Sequence, residues 1–177
     1  MNKIEIRGLK KEEIPKLIIL MKDVIPNIEY YPKKNLKIFL KSYSKRHLTD
    51  LYEHENSIFL VAEQDNHARK SGDFRHVKNP EDSSHFLGFL FGWNEYGVFW
   101  IDWLGVEEHK RRIHIATELV KECEKRAKRM KCHKMFLDTS CINIPAIHLY
   151  KKLGYKIEAK LKNHWLGWDY DLIGKFL

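Results

Sequence analysis

The sequence predicts a mixed α/β (α+β) domain with a central sheet covered by helices. Three observations predict it. Apolar runs with the alternation of strands are separated by stretches with the 3.6-residue period of helices. Two strand runs, 85–97 and 98–106, join through a short Asn94–Gly97 turn. The helix starts and stops carry Pro, Asn and Gly where helix ends need them.

In order, 2–7 (NKIEIR) alternates apolar and polar residues and reads as a half-buried strand. Lys10 to about Val24 reads as a helix with Ile14, Leu17, Ile18 and Met21 on one face and Pro15 in its first turns. A loop, IPNIEYYP, is bracketed by Pro26 and Pro32. A second helix is expected over about 33–47, with Leu36, Phe39, Leu40 and Tyr43 inward. SIFLVAEQ, 57–64, is a strand. The stretch 65–84 has almost no apolar anchor and reads as a mobile insertion. His67, His76 and His85 fall within and beside it, at spacings that match no metal site. After the strand pair come a helix opening near 113, a strand at 134–140 and a short helix at 145–154. Asn143 caps that helix, Pro145 sits in its first turn and Gly154 follows its end. Strands at 155–161 and 169–176 close the chain, and the expectation is one domain over 1–177.

The formal charge of +8 comes from 32 Lys and Arg against 24 Asp and Glu, spread along the chain without an arginine-rich arm. Such a balance suits a solvated surface or an anionic small-molecule partner better than a nucleic-acid groove. The three cysteines, Cys123, Cys132 and Cys141, are odd in number and form no CxxC pair, which suits a reducing cytoplasm with no disulfide framework, and no metal is expected. No apolar run approaches the roughly 20 residues of a membrane span.

The strand VFWIDWLGV, 98–106, is apolar on both faces, as a central strand is. Its odd positions carry Phe99, Ile101 and Trp103, and its even positions carry Trp100, Asp102 and Leu104. A carboxylate inside such a strand must pair, take up a proton or work as an acid or base. From its position alone, a structural ion pair and a poised base stand level for Asp102.

Lys110, Arg111 and Arg112 stand just ahead of a helix whose apolar stripe runs Ala116, Leu119, Val120, Cys123, Ala127 and Met130. A helix N-terminus already carries positive dipole and free N–H groups. Extra cations are disfavoured there unless an anion occupies the place, so the pattern marks a candidate anion site.

Two stretches carry a family resemblance. VEEHKRRIHIA, 106–116, resembles the acyl-CoA signature V-x-x-x-x-Q/R-x-x-G-x-G/A of the GNAT N-acetyltransferase superfamily. NIPAIHLYKKLGY, 143–155, is similar to that family's N-x-x-A-x-x-L-Y-x-K-x-G-F/Y motif at every fixed position. The chain departs from the first motif at His114, where the family carries glycine, and keeps the second small residue as Ala116. The resemblance covers the element order of the whole chain. It implies a GNAT-like acyl-CoA N-acyltransferase fold with a mostly antiparallel mixed sheet.

It also implies a transferase moving an acetyl group from acetyl-CoA to a primary amine of a small molecule, peptide or protein, by direct attack in a ternary complex. The implied pyrophosphate cradle is the backbone of Arg111, Arg112, Ile113, His114, Ile115, Ala116 and Thr117. Leu104, Gly105 and Val106 would flank the pantetheine arm, with a backbone N–H among them for the oxyanion. Asn143 would contact the same arm, and Tyr150 would protonate the leaving thiolate. Asp102 stands where many members carry a strand carboxylate and would accept the amine's proton. Glu29, Tyr30 and Tyr31, with Asp169 and Asp171, are candidates for meeting a cationic acceptor. Cys141 is the rival nucleophile for a covalent route. The other readings are a non-catalytic acyl-CoA-binding module and a basic nucleic-acid-binding domain, the latter disfavoured because most of the five tryptophans fall on apolar strands. Exposed sheet edges allow a homodimer without demanding one.

Overall fold

The computed structural model describes residues 4–28, 33–64 and 85–177. The 65–84 stretch read as an insertion, with His67 and His76, lies outside the described residues, as do Glu29, Tyr30 and Tyr31. Strand β1 (Ile4–Gly8) is followed by helices α1 (Ile14–Val24), α2 (Lys33–Ser42) and α3 (Lys45–Glu53). Then come β2 (Ser57–Gln64), β3 (Phe86–Glu95), β4 (Val98–Val106) and α4 (Ile115–Arg129). The remainder is β5 (Lys134–Ser140), α5 (Ile144–Lys152), β6 (Lys156–Leu161) and β7 (Tyr170–Phe176).

Among the described residues seven strands form one sheet in the order β1-β2-β3-β4-β5-β7-β6. Every neighbouring pair is antiparallel except β4 and β5, which run parallel. This is the helix-flanked, mostly antiparallel mixed sheet expected from the sequence. The β3–β4 hairpin closes through Tyr96 and Gly97, both at positive φ (52° and 82°), the geometry that suits the right-handed twist of a two-residue hairpin.

The core lies in two layers, one on each face of the sheet. On one face α4 and α5 bring Leu119, Val120, Cys123 and Ile147 against Leu60, Leu90, Phe99 and Ile101. On the other, α1, α2 and α3 bring Ile14, Leu17, Met21, Leu36 and Leu48 against Phe59, Val61, Phe89 and Phe91. The alternation of Phe59, Leu60, Val61 and Ala62 between these layers is the period-2 pattern of a strand covered on both sides. At the start of this frame Arg7 bridges Glu63 at 2.7 Å and Glu13 at 2.8 Å, tying β1 to β2 and to the turn before α1.

Two expectations are corrected. The single helix expected over about 33–47 is two helices, because Ser44 leaves the helical conformation (φ −65°, ψ 161°) and its hydroxyl accepts from the His47 N–H at 3.2 Å. Serine at that place satisfies an otherwise free donor and starts α3 afresh. The apolar spacing slips at the break, since the next buried residue after Tyr43 is Leu48, five residues on, where one helix face would need position 46 or 47.

The second correction concerns β4. Phe91 pairs with Trp103 but Gly92 pairs with Ile101, so Asp102 is an extra residue opposite β3. This bulge reverses the parity of the strand. Phe99 and Ile101 stay with the α4 and α5 layer, whereas Trp103 packs into the opposite layer. Gly92 makes the close approach feasible, since a Cβ there would stand 2.0 Å from the Trp100 carbonyl oxygen.

Candidate active site

Parallel strands β4 and β5 pair only through Val98, Phe99 and Trp100, opposite Lys134, Met135 and Phe136. Beyond those three rungs β5 continues to pair with β7 as far as Ser140. The edge of β4 from Ile101 to Val106 is left without a β5 partner among the described residues. The centre of the sheet therefore splits. A cavity of about 540 Å³ lies at the split, with Asp102, Leu104, Asp138, Asn143 and Tyr150 in its walls.

The bulge decides what enters that cavity. It turns Asp102 toward the helix side, where the Tyr43 hydroxyl donates to Oδ2 at 2.9 Å. Tyr43 itself is wedged edge-on against Trp103 and Phe91, at ring separations of 5.9 and 5.8 Å. Burial pushes the Asp102 carboxyl up to about 6, with the Tyr43 bond pulling the other way and the charge of Asp138 adding to the rise. Burial also pushes the Tyr43 phenol up, and the Asp102 charge reinforces it, so Tyr43 stays a donor. Asp138, on β5, is raised by burial and drawn back by the Trp165 indole and by His164. The Trp165 Nε1–H donates to its Oδ2 at 2.8 Å. A carboxylate raised to about 6, as Asp102 is, is a stronger base than an ordinary aspartate and is suited to take a proton from an incoming group.

The turn after β4 supplies a cluster of free donors. Backbone bonds run Lys110 N–H to Glu107 and Arg111 N–H to Glu108, and the next is Glu118 N–H to His114, at 3.0 Å. Among the described residues, no backbone carbonyl accepts from the N–H groups of Arg112 through Thr117. Arg112 and His114 both take left-handed conformations (φ 64° and 69°). His114 thus adopts the backbone geometry for which glycine is the easy choice, and histidine is one of the few other residues found there. Its side chain is exposed, as are those of Arg111, Arg112 and Ile113, and Ala116 and Thr117 are half-buried. The Arg111 side chain bends back, its Nε donating to the Val106 carbonyl at 3.3 Å. Gly105 packs against Phe89, where a Cβ would meet the ring at 2.5 Å. A run of free N–H groups at a helix start, with cationic side chains around it, is chemistry for a phosphate-bearing ligand.

Asn143 caps α5, its side-chain oxygen accepting from the Ala146 N–H at 3.4 Å, while its amide donates to Thr139 Oγ1 at 3.0 Å. Tyr150 follows two turns later, 3% exposed and edge-on to Tyr155 at 5.2 Å. Burial holds its phenol well above the ordinary value, so it remains protonated at neutral pH. Cys141 is turned the other way and its thiol donates to Asp171 at 3.3 Å. Burial and that carboxylate raise the Cys141 thiol, the wrong direction for a nucleophile. Asp171 is buried beside it, and Asp169 is bound at 2.7 Å by Lys162.

The split gathers Asp102, Leu104, Asn143 and Tyr150 into one cavity, with the α4 start reached by the same strand a few residues on. Tyr43, read in the sequence only as an inward helix residue, belongs to the same cavity, as do Asp138 and Trp165, which the sequence reading does not single out. Asp138 carried a legible signal, a lone acid within the strand run KMFLDTS, of the kind that drew attention to Asp102.

The model of the acetyltransferase (GNAT) family matches residues 28–155. No curated protein matches the chain. Among solved structures, the chain is similar to the PaiA N-acetyltransferase of Thermoplasma acidophilum in complex with coenzyme A, at TM-score 0.75 and 19% identity over 99% of both chains. It is similar to Arabidopsis thaliana NAA60 in complex with acetyl-CoA, at TM-score 0.73 and 19% identity over 99% of this chain and 100% of that one. The Escherichia coli ribosomal-protein-S18-alanine N-acetyltransferase follows at TM-score 0.70 and 12% identity over 98% and 94%. At these identities the likeness speaks for the fold, and the family match carries the assignment: the chain belongs to the GNAT acetyltransferase family.

Proposed function

We propose that the protein transfers an acetyl group from acetyl-CoA to a primary amine of a small molecule, peptide or protein, by direct attack in a ternary complex. The observation that carries this reading is the split between β4 and β5, with Asp102 poised near neutrality on one wall and a protonated Tyr150 on the other. Solved relatives in complex with coenzyme A and acetyl-CoA support the choice of donor.

The free N–H groups from Arg112 to Thr117 would hold the donor's phosphates, with Arg111 and Arg112 adding charge. That accounts for cations at a helix start that already carries positive dipole. The unpaired edge of β4 at Leu104, Gly105 and Val106 would take the pantetheine amides as an added strand does, and one N–H there would stabilise the oxyanion. Asn143 would reach the same arm from the start of α5.

An alkylammonium titrates near ~10.4 and must shed a proton before it attacks. Asp102 takes that proton, directly or through a water, and its raised pKa makes it a stronger base than an ordinary aspartate. The amine nitrogen then bonds to the acetyl carbon, the C–S bond breaks as the oxyanion collapses, Tyr150 gives its phenolic proton to the departing sulfur, and the second proton shed by the nitrogen as it becomes an amide restores the phenol. Tyr43 holds Asp102 in place without being able to supply a charge. No cysteine intermediate is needed, and the bond from Cys141 to Asp171 argues against one. A metal has no task in this scheme. Free cysteines at 123, 132 and 141 favour a reducing cytoplasm as the place of work. Among the described residues no helix is long and apolar enough to cross a membrane.

The test is initial-rate kinetics on a panel of amines, read by thiol release, with both substrates varied. Intersecting lines support a ternary complex. Parallel lines would reject direct transfer, and silence across small amines, peptides and protein lysines would reject the activity.

A further inference from the structure

Asp102 and Asp138 face the same cavity from the two strands that separate, and they are the charged residues in its described walls. Asp102 has a permanent companion in Tyr43, which is anchored among core aromatics. Asp138 has a different kind of companion. Trp165 sits on the β6–β7 connection, 27 residues away in sequence, and its ring is 51% exposed. The base of this loop is braced, since Asp169 accepts from Lys162 Nζ at 2.7 Å and from the Asn163 N–H at 3.0 Å. Its tip is held in a costly shape: Asn163 and Leu166 stand at φ 48° and 55°. For leucine that conformation costs roughly 1–2 kcal/mol. Backbone bonds from His164 N–H to Trp168 and from Trp168 N–H to Trp165 close the turn, and its side-chain ties to β5 are the indole bond to Asp138 and His164 Nε2, 3.6 Å from the same oxygen.

Resting on the acetyltransferase reading above, we infer that Trp165 is a resident competitor for Asp138: its indole N–H occupies the carboxylate that the acceptor's ammonium must reach, so Trp165 sets acceptor affinity. An ammonium brings a full positive charge to the carboxylate, an attraction that the neutral indole N–H lacks. The exchange therefore runs toward the acceptor once it is present. Because Trp165 is half-exposed, its departure opens no hole in the core. Its bond to Asp138 also pulls that carboxyl back against the rise that burial causes, and His164 acts in the same direction. Asp138 holds the cation and Asp102 takes the proton, which divides the two carboxylates between positioning and chemistry.

The experiment uses the full chain labelled with ¹⁵N at tryptophan, whose five indole N–H signals are separate probes. Trp165→Phe identifies its signal, and Asp138→Ala shows where that signal lies without the carboxylate. Phenethylamine, n-butylamine and 1,4-diaminobutane are titrated in turn. The expected result is that at least one amine moves the Trp165 signal toward its position in Asp138→Ala and speeds its exchange with solvent. A Trp165 signal that stays fixed under all three amines overturns the proposal, and movement of other indoles alone places the amine in the cavity without displacement. For an amine that is turned over, Trp165→Phe should lower its KM by about two- to ten-fold, the worth of one hydrogen bond, with the KM for acetyl-CoA unchanged. In the Asp138→Ala background the same substitution should have no effect on acceptor KM. A raised acceptor KM, or an equal effect in both backgrounds, contradicts the competition. The indole readout needs no turnover, so loss of this proposal and loss of the acetyltransferase reading are separate results.

Discussion

The Tyr43 hydroxyl donates to Asp102 Oδ2 across 2.9 Å, joining the end of α2 to the bulged residue of the central strand. The bond orients a carboxylate that burial has brought to the edge of neutrality, at about 6. If Asp102 is the base, activity is carried by its ionised form. The kcat/KM profile for an amine should therefore rise through about pH 6 and level above it. Asp102→Asn should remove that limb and lower kcat by roughly 10²–10⁴-fold.

The same shift has a consequence for stability with the opposite sign. The folded-state pKa of Asp102 lies above its unfolded value, so its contribution is fully present below pH 4 or so and is lost as pH rises through about 6. Above that window the charged carboxylate costs the fold about 2–3 kcal/mol. Asp102→Asn should thus raise the melting temperature at pH 8 and leave it nearly unchanged at pH 4. Loss of stability at pH 8 in that variant would show that the charge is compensated in the fold.

Tyr150→Phe keeps the ring in its contact with Tyr155 and deletes only the phenol. The expected outcome is a kcat lower by roughly 10–10³-fold, with acetyl-CoA binding unchanged in titration. A variant that binds acetyl-CoA and turns over at the parent rate would leave Tyr150 as a core aromatic.

His114 holds φ 69° with its side chain in solvent. Replacing it with glycine relieves the left-handed strain and adds unfolded-state freedom, so stability should change by less than about 1 kcal/mol. Acetyl-CoA affinity should stay within a few-fold, because the donors at this turn are backbone groups. A large loss of affinity in His114→Gly would mean that the imidazole supplies a contact of its own.

Cys141→Ser should remain active, since the hydroxyl can keep the bond to Asp171. An inactive but folded serine variant, together with a trapped acyl-protein on incubation with acetyl-CoA alone, would revive the covalent route.

Local pattern was enough for much of the fold. The strands 57–64, 98–106 and 134–140 match the apolar runs residue for residue, and Asn143 caps α5 as its position before Pro145 requires. What local pattern lacks is register. The parity of β4 put Ile101 and Trp103 on one face, and the bulge at Asp102 separates them, because only pairing with β3 reveals that one residue is extra. The break at Ser44 shows in the sequence only as a five-residue step from Tyr43 to Leu48, which a helix expected to end near 47 does not reach. Trp165 was unreadable for another reason: its partner Asp138 is remote in sequence and meets it only once β5, β6 and β7 are side by side. The candidate donor cradle was legible as charge at a helix start, whereas the acceptor side needed the split sheet to be seen.

Isothermal titration of the protein with acetyl-CoA, with desulfo-CoA as the comparison, tests the central claim most directly. The account predicts micromolar binding with one site per chain, retained in large part by desulfo-CoA because the phosphates and pantetheine amides carry it. Absence of binding by a chain that melts cooperatively would contradict the account, since the free N–H groups from Arg112 to Thr117 and the open edge of β4 would then have no ligand to serve.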